Sequence, residues 1–105
     1  MSDPNVLVDR PSERVARILL NRPERRNALV GPLAVELAEA IEALNSDESV
    51  SVVLLGGAGG AFCSGLDLKA FNLDPQPDWV AGFGDLWRRV HRALFDSDRI
   101  VVGAL

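Results

Sequence analysis

The sequence predicts an α/β fold, and two observations carry that prediction. A strand, a helix and a second strand follow one another along residues 15–55, the order of a right-handed crossover between parallel strands. The second strand, residues 50–55, holds three valines and is interrupted only by Ser51, with polar residues before it and glycines after it. Such a run is typical of a buried parallel strand. The 105 residues fit one small domain or part of a larger one.

A β-hairpin is predicted ahead of the crossover. Residues 5–9 and 15–20 are short apolar-rich runs, and residues 10–13 separate them. Pro11 cannot donate to a ladder of hydrogen bonds, so the separating residues are predicted to form the turn. After the second strand, residues 21–27 form a polar loop of high charge density.

The crossover helix is predicted to begin at Gly31 and Pro32, since proline suits the first helical position. Its apolar residues recur every three or four positions and indicate one buried stripe: Leu33, Leu37, Ile41 and Leu44. Polar residues 45–47 end it.

A second helix is predicted over residues 78–95, with loose first turns because Gly82 and Gly84 lower the helix propensity there. Its apolar side consists of Trp79, Phe83, Leu86, Trp87, Val90 and Leu94. Residues 100–102 then begin another strand of the buried type.

The charge pattern argues against two classes of partner. The formal net charge is −4, whereas nucleic-acid and anionic-membrane binding need a basic face. Six arginines nevertheless fall early in the chain, and they indicate either a local anion site or solvated side chains around strands and a turn: Arg10, Arg14, Arg17, Arg22, Arg25 and Arg26.

The numbers of cysteines and histidines exclude two kinds of site, a disulfide and a Cys/His zinc site. A single cysteine, Cys63, excludes an internal disulfide and favours a reducing compartment, so we expect a cytoplasmic protein. With one cysteine and one histidine, no Cys/His zinc site is expected. No apolar run approaches the roughly 18 residues of a membrane span.

The glycine-rich turn does not fit a nucleotide-binding motif. The dinucleotide pattern needs glycine at its first, third and sixth positions, and Phe62 stands at the sixth after Gly57 and Gly59. A phosphate loop needs lysine after its last glycine, and Leu66 follows Gly65.

Cys63 is not expected to act as a nucleophile, because activation needs a neighbouring base or a helix N-terminus. The single histidine, His91, lies far along the chain, and we interpret it as a solvent-side helix residue.

Two motifs carry a resemblance to a known family. Residues 61–69, Ala-Phe-Cys-Ser-Gly-Leu-Asp-Leu-Lys, resemble the Ala-Phe-Cys-Ala/Ser-Gly-x-Asp-Leu signature of the crotonase superfamily, the enoyl-CoA hydratases and isomerases. Residues 20–29 resemble its Leu-Asn-Arg-Pro-x-x-x-Asn-Ala-Leu loop. Residues 98–105 look like a variant of its Lys-Pro-Val/Ile-Ala-Ala-Val strand, with Arg99-Ile100 in place of Lys-Pro.

The resemblance implies a crotonase-like ββα spiral fold, with residues 1–105 as the N-terminal part of the domain. It also implies chemistry on a coenzyme A thioester, which is the substrate; no prosthetic group is implied. In the family, two backbone N–H groups hold the thioester carbonyl and stabilise the negative charge that develops on its oxygen. The motif assigns one of them to Leu66. Gly65 is assigned to the same site, because a backbone that approaches a ligand closely tolerates no Cβ.

The same resemblance assigns further contacts. Ala28 and Ala61 match positions whose backbone contacts the pantetheine and adenine portions of coenzyme A. Arg25 and Arg26 are hypothetical phosphate ligands, since guanidinium suits bidentate recognition. Asp67 belongs to the signature, and we interpret it as structural, holding the following turn.

Two hypotheses stay open, because the family's remaining site residues lie beyond the position of Leu105. The second N–H donor, the two catalytic Glu residues and the C-terminal helices of the trimers would all come after it. The chain is therefore expected to be either an acyl-CoA hydratase or isomerase or a truncated, catalytically silent binding or assembly module. A complete chain would form a trimer or hexamer. The distinction between hydratase, isomerase and hydrolase, and the acyl chain length, depend on residues after Leu105.

Overall fold

The predicted α/β architecture is confirmed by a computed structural model, which describes residues 4–103. The elements are β1 (Val6–Ser12), β2 (Val15–Leu20), α1 (Gly31–Asn45), β3 (Val52–Gly57), α2 (Leu68–Phe71), α3 (Phe83–Phe95) and β4 (Ile100–Gly103). Short 3-10 turns lie at Pro23–Arg25, Ala58–Gly60 and Asp78–Val80. Within residues 4–103, no helix has the length and apolar character needed to cross a bilayer.

The four strands form one sheet in the order β1-β2-β3-β4. β1 runs antiparallel to β2, and β2, β3 and β4 run parallel to one another. In this register Leu20 pairs with Gly57, so β2 and β3 end side by side. The loops that leave these two strands therefore start next to each other, which brings the two sequence motifs together.

The hairpin is confirmed, but its turn is shorter than predicted. β1 continues through Pro11 to Ser12, and only Glu13 and Arg14 form the turn. The pairing register shifts between Asp9 and Ser12, which is where the proline interrupts the ladder. An edge strand tolerates proline because one of its sides forms no ladder, and β1 is an edge strand.

The core lies between one face of the sheet and the helices α1 and α3. β2 alternates between half-buried and buried residues, and Ile18 is fully buried. The predicted stripe of α1 is confirmed and widened by Ala34 and Ala38, both 0% exposed. β3 begins at Val52, two residues later than predicted, although Val50 is buried ahead of it.

The second predicted helix begins later than expected. Asp78–Val80 forms a separate 3-10 turn, and α3 starts at Phe83. Gly82 lies at the break, in agreement with its low helix propensity. Trp79 is therefore outside α3 and packs on Phe83, with ring centroids 6.0 Å apart. The four-residue helix α2 was not predicted.

The predicted last strand is confirmed as β4, which pairs with β3 from Ile100 to Gly103. The prediction that this strand is buried is wrong: all four of its residues are exposed, because β4 is an edge of the sheet that residues 4–103 form. The predicted continuation to Leu105 lies outside the described residues.

Candidate active site

The loop after β2 and the turn after β3 are joined through Asn27. This side chain is 0% exposed, and its Nδ2 donates to the carbonyl oxygens of Ala58 at 3.1 Å and Ala61 at 2.6 Å. Its Oδ1 accepts from the N–H of Arg22 at 2.8 Å. Asn27 has φ +57°, a left-handed conformation that asparagine adopts more readily than most residues. A single buried amide thus holds the two motifs against each other.

A short parallel bridge then fixes residues 65–67 beside Leu29. The N–H of Leu29 donates to the carbonyl of Gly65 at 2.7 Å, and the N–H of Asp67 donates to the carbonyl of Leu29 at 3.0 Å. In a parallel pair of this kind, the residue between the two bonds directs its own N–H and C=O away from the partner. That residue is Leu66.

The N–H of Leu66 has no hydrogen-bond acceptor among residues 4–103, whereas both neighbouring N–H groups have one. The N–H of Gly65 lies 3.5 Å from Sγ of Cys63, and that of Asp67 belongs to the bridge. Leu66 is 47% exposed, and Gly65 has φ +97°, which glycine adopts without strain. The chain therefore presents a fixed donor at the surface.

Asp67 anchors the turn after the donor, as predicted. Its carboxylate is buried and accepts from the N–H of Ala70 at 3.0 Å, which caps α2. It also pairs with Arg22 at 3.2 Å and Arg25 at 3.3 Å. Burial raises the pKa of Asp67, but the hydrogen bonds from Ala70, Arg25 and Arg22 outweigh it, so the net pKa lies below its ordinary value. The carboxylate is therefore ionised at neutral pH.

A concavity of about 320 Å³ opens beside Leu66. Four of the six predicted site residues line it: Arg25, Arg26, Ala28 and Leu66. A fifth, Gly65, is next to Leu66 in the chain. Arg25 shares Asp67 with Arg22, whereas Arg26 is exposed and forms no ion pair within the described part of the chain.

Ala61, like Gly65, does not line this concavity. It is half-buried, and its carbonyl accepts from Asn27. The concavity also includes residues that the sequence did not single out as site residues: Glu24, Asp67, Leu68 and Lys69. Lys69 belongs to the motif of residues 61–69, three positions after Leu66. Its positive charge close to the proposed donor could therefore have identified it as a site residue from the sequence alone.

The six early arginines fall into two groups: some form pairs around the strands and turns, and others lie at or behind the concavity, where an anion could bind. Arg10 pairs with Asp47 and Arg17 with Asp9, while Arg14 donates to Oγ of Ser51 at 2.8 Å. These three serve the strands and turns and lie away from the concavity. Arg25 and Arg26 line it, and Arg22 lies behind it against Asp67.

Cys63 and His91 are closer in the fold than their sequence separation suggested. Both line an apolar hollow of about 230 Å³ that is bordered by β2, β3, α1 and α3, because α3 packs on α1. His91 is exposed, as predicted, and its ring lies edge-on to Trp87 with centroids 5.3 Å apart.

The family model for enoyl-CoA hydratase/isomerase matches residues 10–105. The chain belongs to this family. A probable enoyl-CoA hydratase of Mycobacterium bovis is 39% identical over 94 residues, which cover 90% of this chain and 36% of that protein.

Solved structures of family members agree with the fold. An enoyl-CoA isomerase from M. smegmatis is 33% identical, with a TM-score of 0.75, over 96% of this chain and 40% of its own. An enoyl-CoA hydratase from Bacillus anthracis is 30% identical, with a TM-score of 0.83, over 94% of this chain and 38% of its own. The N-terminal crotonase-like fold predicted from the motifs is thereby confirmed. The chain spans less than half the length of each of these relatives.

Proposed function

We propose that this family member binds an acyl-coenzyme A thioester with its carbonyl oxygen at the N–H of Leu66. The supporting observation is that this N–H is held between two bridge hydrogen bonds and has no acceptor among residues 4–103. A donor fixed in advance suits an oxygen that gains negative charge, because the donor need not reorient during the reaction.

The chemistry that such a donor supports is formation of an enolate-like state on the thioester. Loss of a proton next to the carbonyl, or addition of water to a conjugated double bond, places negative charge on the carbonyl oxygen. Removal of one donor from a comparable site in a hydrolase costs about 2.7–4 kcal/mol of transition-state stabilisation. Hydration or isomerisation of an enoyl-CoA is the proposed reaction.

The basic side chains around the concavity suit the phosphates of coenzyme A. Arg25, Arg26 and Lys69 outnumber the acidic lining residues Glu24 and Asp67, and Asp67 is already paired. Arg26 is the stronger candidate of the two arginines, because Arg25 shares its charge with Asp67. Both stay proposed phosphate ligands.

Ala28 and Ala61 are proposed to contact coenzyme A through their backbone carbonyl oxygens, as hydrogen-bond acceptors. The carbonyl of Ala28 accepts from Arg22, and that of Ala61 accepts from Asn27. A carbonyl oxygen has two lone pairs, so each retains one acceptor position for pantetheine or adenine.

Binding of crotonyl-CoA by native mass spectrometry tests this proposal, with Gly65→Ala and Gly60→Ala as a matched pair. Gly65 has φ +97° and Gly60 has φ +90°, and a Cβ at either position meets nothing within 4 Å. Both variants therefore carry similar backbone strain, but only Gly65 adjoins the proposed donor. We expect wild type and Gly60→Ala to bind and Gly65→Ala to bind at least about tenfold more weakly, since the donor is displaced. Equal affinity in the two variants, or no binding by wild type, would overturn the proposal.

A catalytically silent binding or assembly module is the second candidate. It is favoured by the concavity itself, whose described lining has no buried carboxylate free of partners, since Asp67 pairs with Arg22 and Arg25. Loss of the enoyl absorbance of crotonyl-CoA on incubation with the chain would support the enzyme. Binding without turnover would support the module.

Three further expectations stay predictions: residues 1–105 as part of one crotonase-like domain, a trimeric or hexameric assembly, and a cytoplasmic location. The same mass spectra report the number of copies.

A further inference from the structure

We propose that Arg22 is a positioning residue for the N–H of Leu66. The inference rests on the proposed acyl-CoA site and concerns a side chain that does not line the concavity. Arg22 would act without contacting the ligand, by joining the loop that contains Ala28 to the turn that contains Leu66 and Asp67.

The guanidinium of Arg22 spans these segments. Its Nη1 donates to the carbonyl of Ala28, and its Nη2 donates to Oδ2 of Asp67 at 3.2 Å. Ala28 immediately precedes Leu29, and Asp67 immediately follows Leu66. The side chain thus forms a second connection, parallel to the backbone bridge between Leu29 and residues 65–67.

Arg22 is itself firmly held, which a positioning residue requires. Its side chain is 15% exposed, and its N–H donates to Oδ1 of Asn27 at 2.8 Å. Its carbonyl accepts from the N–H groups of Arg25 at 2.9 Å and Asn27 at 2.8 Å.

Removal of the guanidinium would leave the donor less well aimed. Asp67 would keep Ala70 and Arg25 as partners, but neither donates to the carbonyl of Ala28. Arg25 reaches Ala28 only through its own backbone carbonyl, which accepts from the Ala28 N–H at 3.0 Å. The direction of the Leu66 N–H would then depend on the two bridge bonds and on two more distant links, the Arg25–Asp67 pair and the bond from the N–H of Ser64 to the carbonyl of Arg26 at 3.1 Å. A displacement of about 1 Å in a reacting group can cost on the order of 100-fold in rate.

Lysine should replace arginine poorly here. The two acceptors, a backbone carbonyl and a carboxylate, are engaged by different nitrogens of one planar fork. The ammonium of lysine lacks this fork of donors. We therefore expect Arg22→Lys to bond either the carbonyl of Ala28 or the carboxylate of Asp67, but not both at once.

The variants to compare are Arg22→Gln, Arg22→Lys and the control Arg17→Gln. Arg17 also forms a two-bonded pair with a carboxylate, that of Asp9, but on the exposed hairpin. The first readout needs no ligand: amide hydrogen exchange at Leu29 and Asp67, whose N–H groups form the bridge. We expect at least about tenfold faster exchange in Arg22→Gln and no change at these amides in Arg17→Gln, since a hydrogen bond to a charged group is lost next to them.

The second readout compares crotonyl-CoA with free coenzyme A, which has no thioester carbonyl. A positioning role predicts that Arg22→Gln loses about tenfold in affinity for the thioester and little for free coenzyme A, with Arg22→Lys between the two. Equal losses for both ligands would show a general structural role and overturn the inference.

The two readouts separate this inference from the proposed function. If wild type binds neither ligand, the proposed function fails, and the exchange data alone decide the role of Arg22. Unchanged exchange at Leu29 and Asp67 in Arg22→Gln would reject it.

Discussion

The side-chain amide of Asn27 donates to the carbonyl oxygen of Ala61 at 2.6 Å, across 34 residues of sequence. Each residue belongs to one of the two family motifs, and the bond joins the loop after β2 to the turn after β3. The second N–H bond of Asn27, to Ala58, reinforces the same junction. The motifs are therefore joined by a hydrogen-bonded side chain that is buried and does not line the concavity beside Leu66.

Replacement of Asn27 by alanine should lower the free energy of unfolding by about 2–4 kcal/mol. Two backbone carbonyls and the N–H of Arg22 would lose their partner in a buried setting, and each unsatisfied group costs about 1–3 kcal/mol, less where water enters. Alanine also adopts φ +57° less readily than asparagine. Urea unfolding measures the change.

Asn21→Ala is the matched control for that experiment. Its side chain donates one exposed bond, to the carbonyl of Pro4 at 2.9 Å. We expect a loss within about 0.5 kcal/mol, as for most surface substitutions. Similar losses in Asn21→Ala and Asn27→Ala would contradict the central role of Asn27.

Gly57→Ala should destabilise the chain strongly, because the added Cβ has no room. It would lie 2.2 Å from the carbonyl oxygen of Ala61 and 2.6 Å from Nδ2 of Asn27, so backbone would have to move. Overpacking of this kind typically costs about 1–3 kcal/mol. Gly84→Ala, in the first turn of α3, meets nothing within 4 Å and should stabilise by up to about 1 kcal/mol through helix propensity. The midpoint of thermal unfolding should fall for Gly57→Ala and rise slightly for Gly84→Ala. An unchanged or higher midpoint for Gly57→Ala would refute the packing around Gly57.

The sequence predicted those parts of the fold that depend on local pattern. The stripe from Leu33 to Leu44 identifies α1 because helical spacing is visible within a few turns. The valine-rich run before the glycines identifies β3 for a similar reason. The boundary error at Pro11 arose because strand pairing overrode a local turn preference, since an edge strand admits the proline. The error at Trp79 arose at Gly82, whose low helix propensity the sequence already indicated but whose exact break it did not specify.

The candidate site was predictable only as far as the motifs extend. The motif led to Leu66, and the fold places four of the six predicted residues around one concavity. The motif could not show that Asp67 pairs with Arg22 and Arg25, because these contacts span 45 and 42 residues. Such contacts depend on the parallel register of β2 and β3, which periodicity does not specify.

The carboxylate of Asp47 should make the stability depend on pH in the acid range. Hydrogen bonds from the hydroxyl and N–H of Ser49, and from Arg10, lower the pKa of Asp47 from 3.8 to about 2. A pKa that is lower in the folded state stabilises the fold above the unfolded value, and this contribution is lost as the pH falls from 3.8 toward about 2.

Asp47→Asn should therefore be less stable than wild type at neutral pH, and the difference should shrink below pH 3.8. Urea unfolding at several pH values measures it. Asp74→Asn is a suitable control, because Asp74 forms no ion pair within residues 4–103. A difference between Asp47→Asn and wild type that stays constant with pH would exclude this role.

Alanine at Cys63 or at His91 should leave binding and any turnover of crotonyl-CoA within about twofold of wild type. Among residues 4–103, the thiol of Cys63 accepts one long bond, from the N–H of Gly65 at 3.5 Å, and His91 packs its ring on Trp87 at the surface. Although both residues line the same apolar hollow, a Cys/His nucleophile needs a base within about 2.6–3.2 Å and an orienting partner for that base. Assays of Cys63→Ala, His91→Ala and the double variant, each checked for folding, decide the matter. Large losses in both single variants, with no further loss in the double variant, would identify the two residues as one catalytic unit.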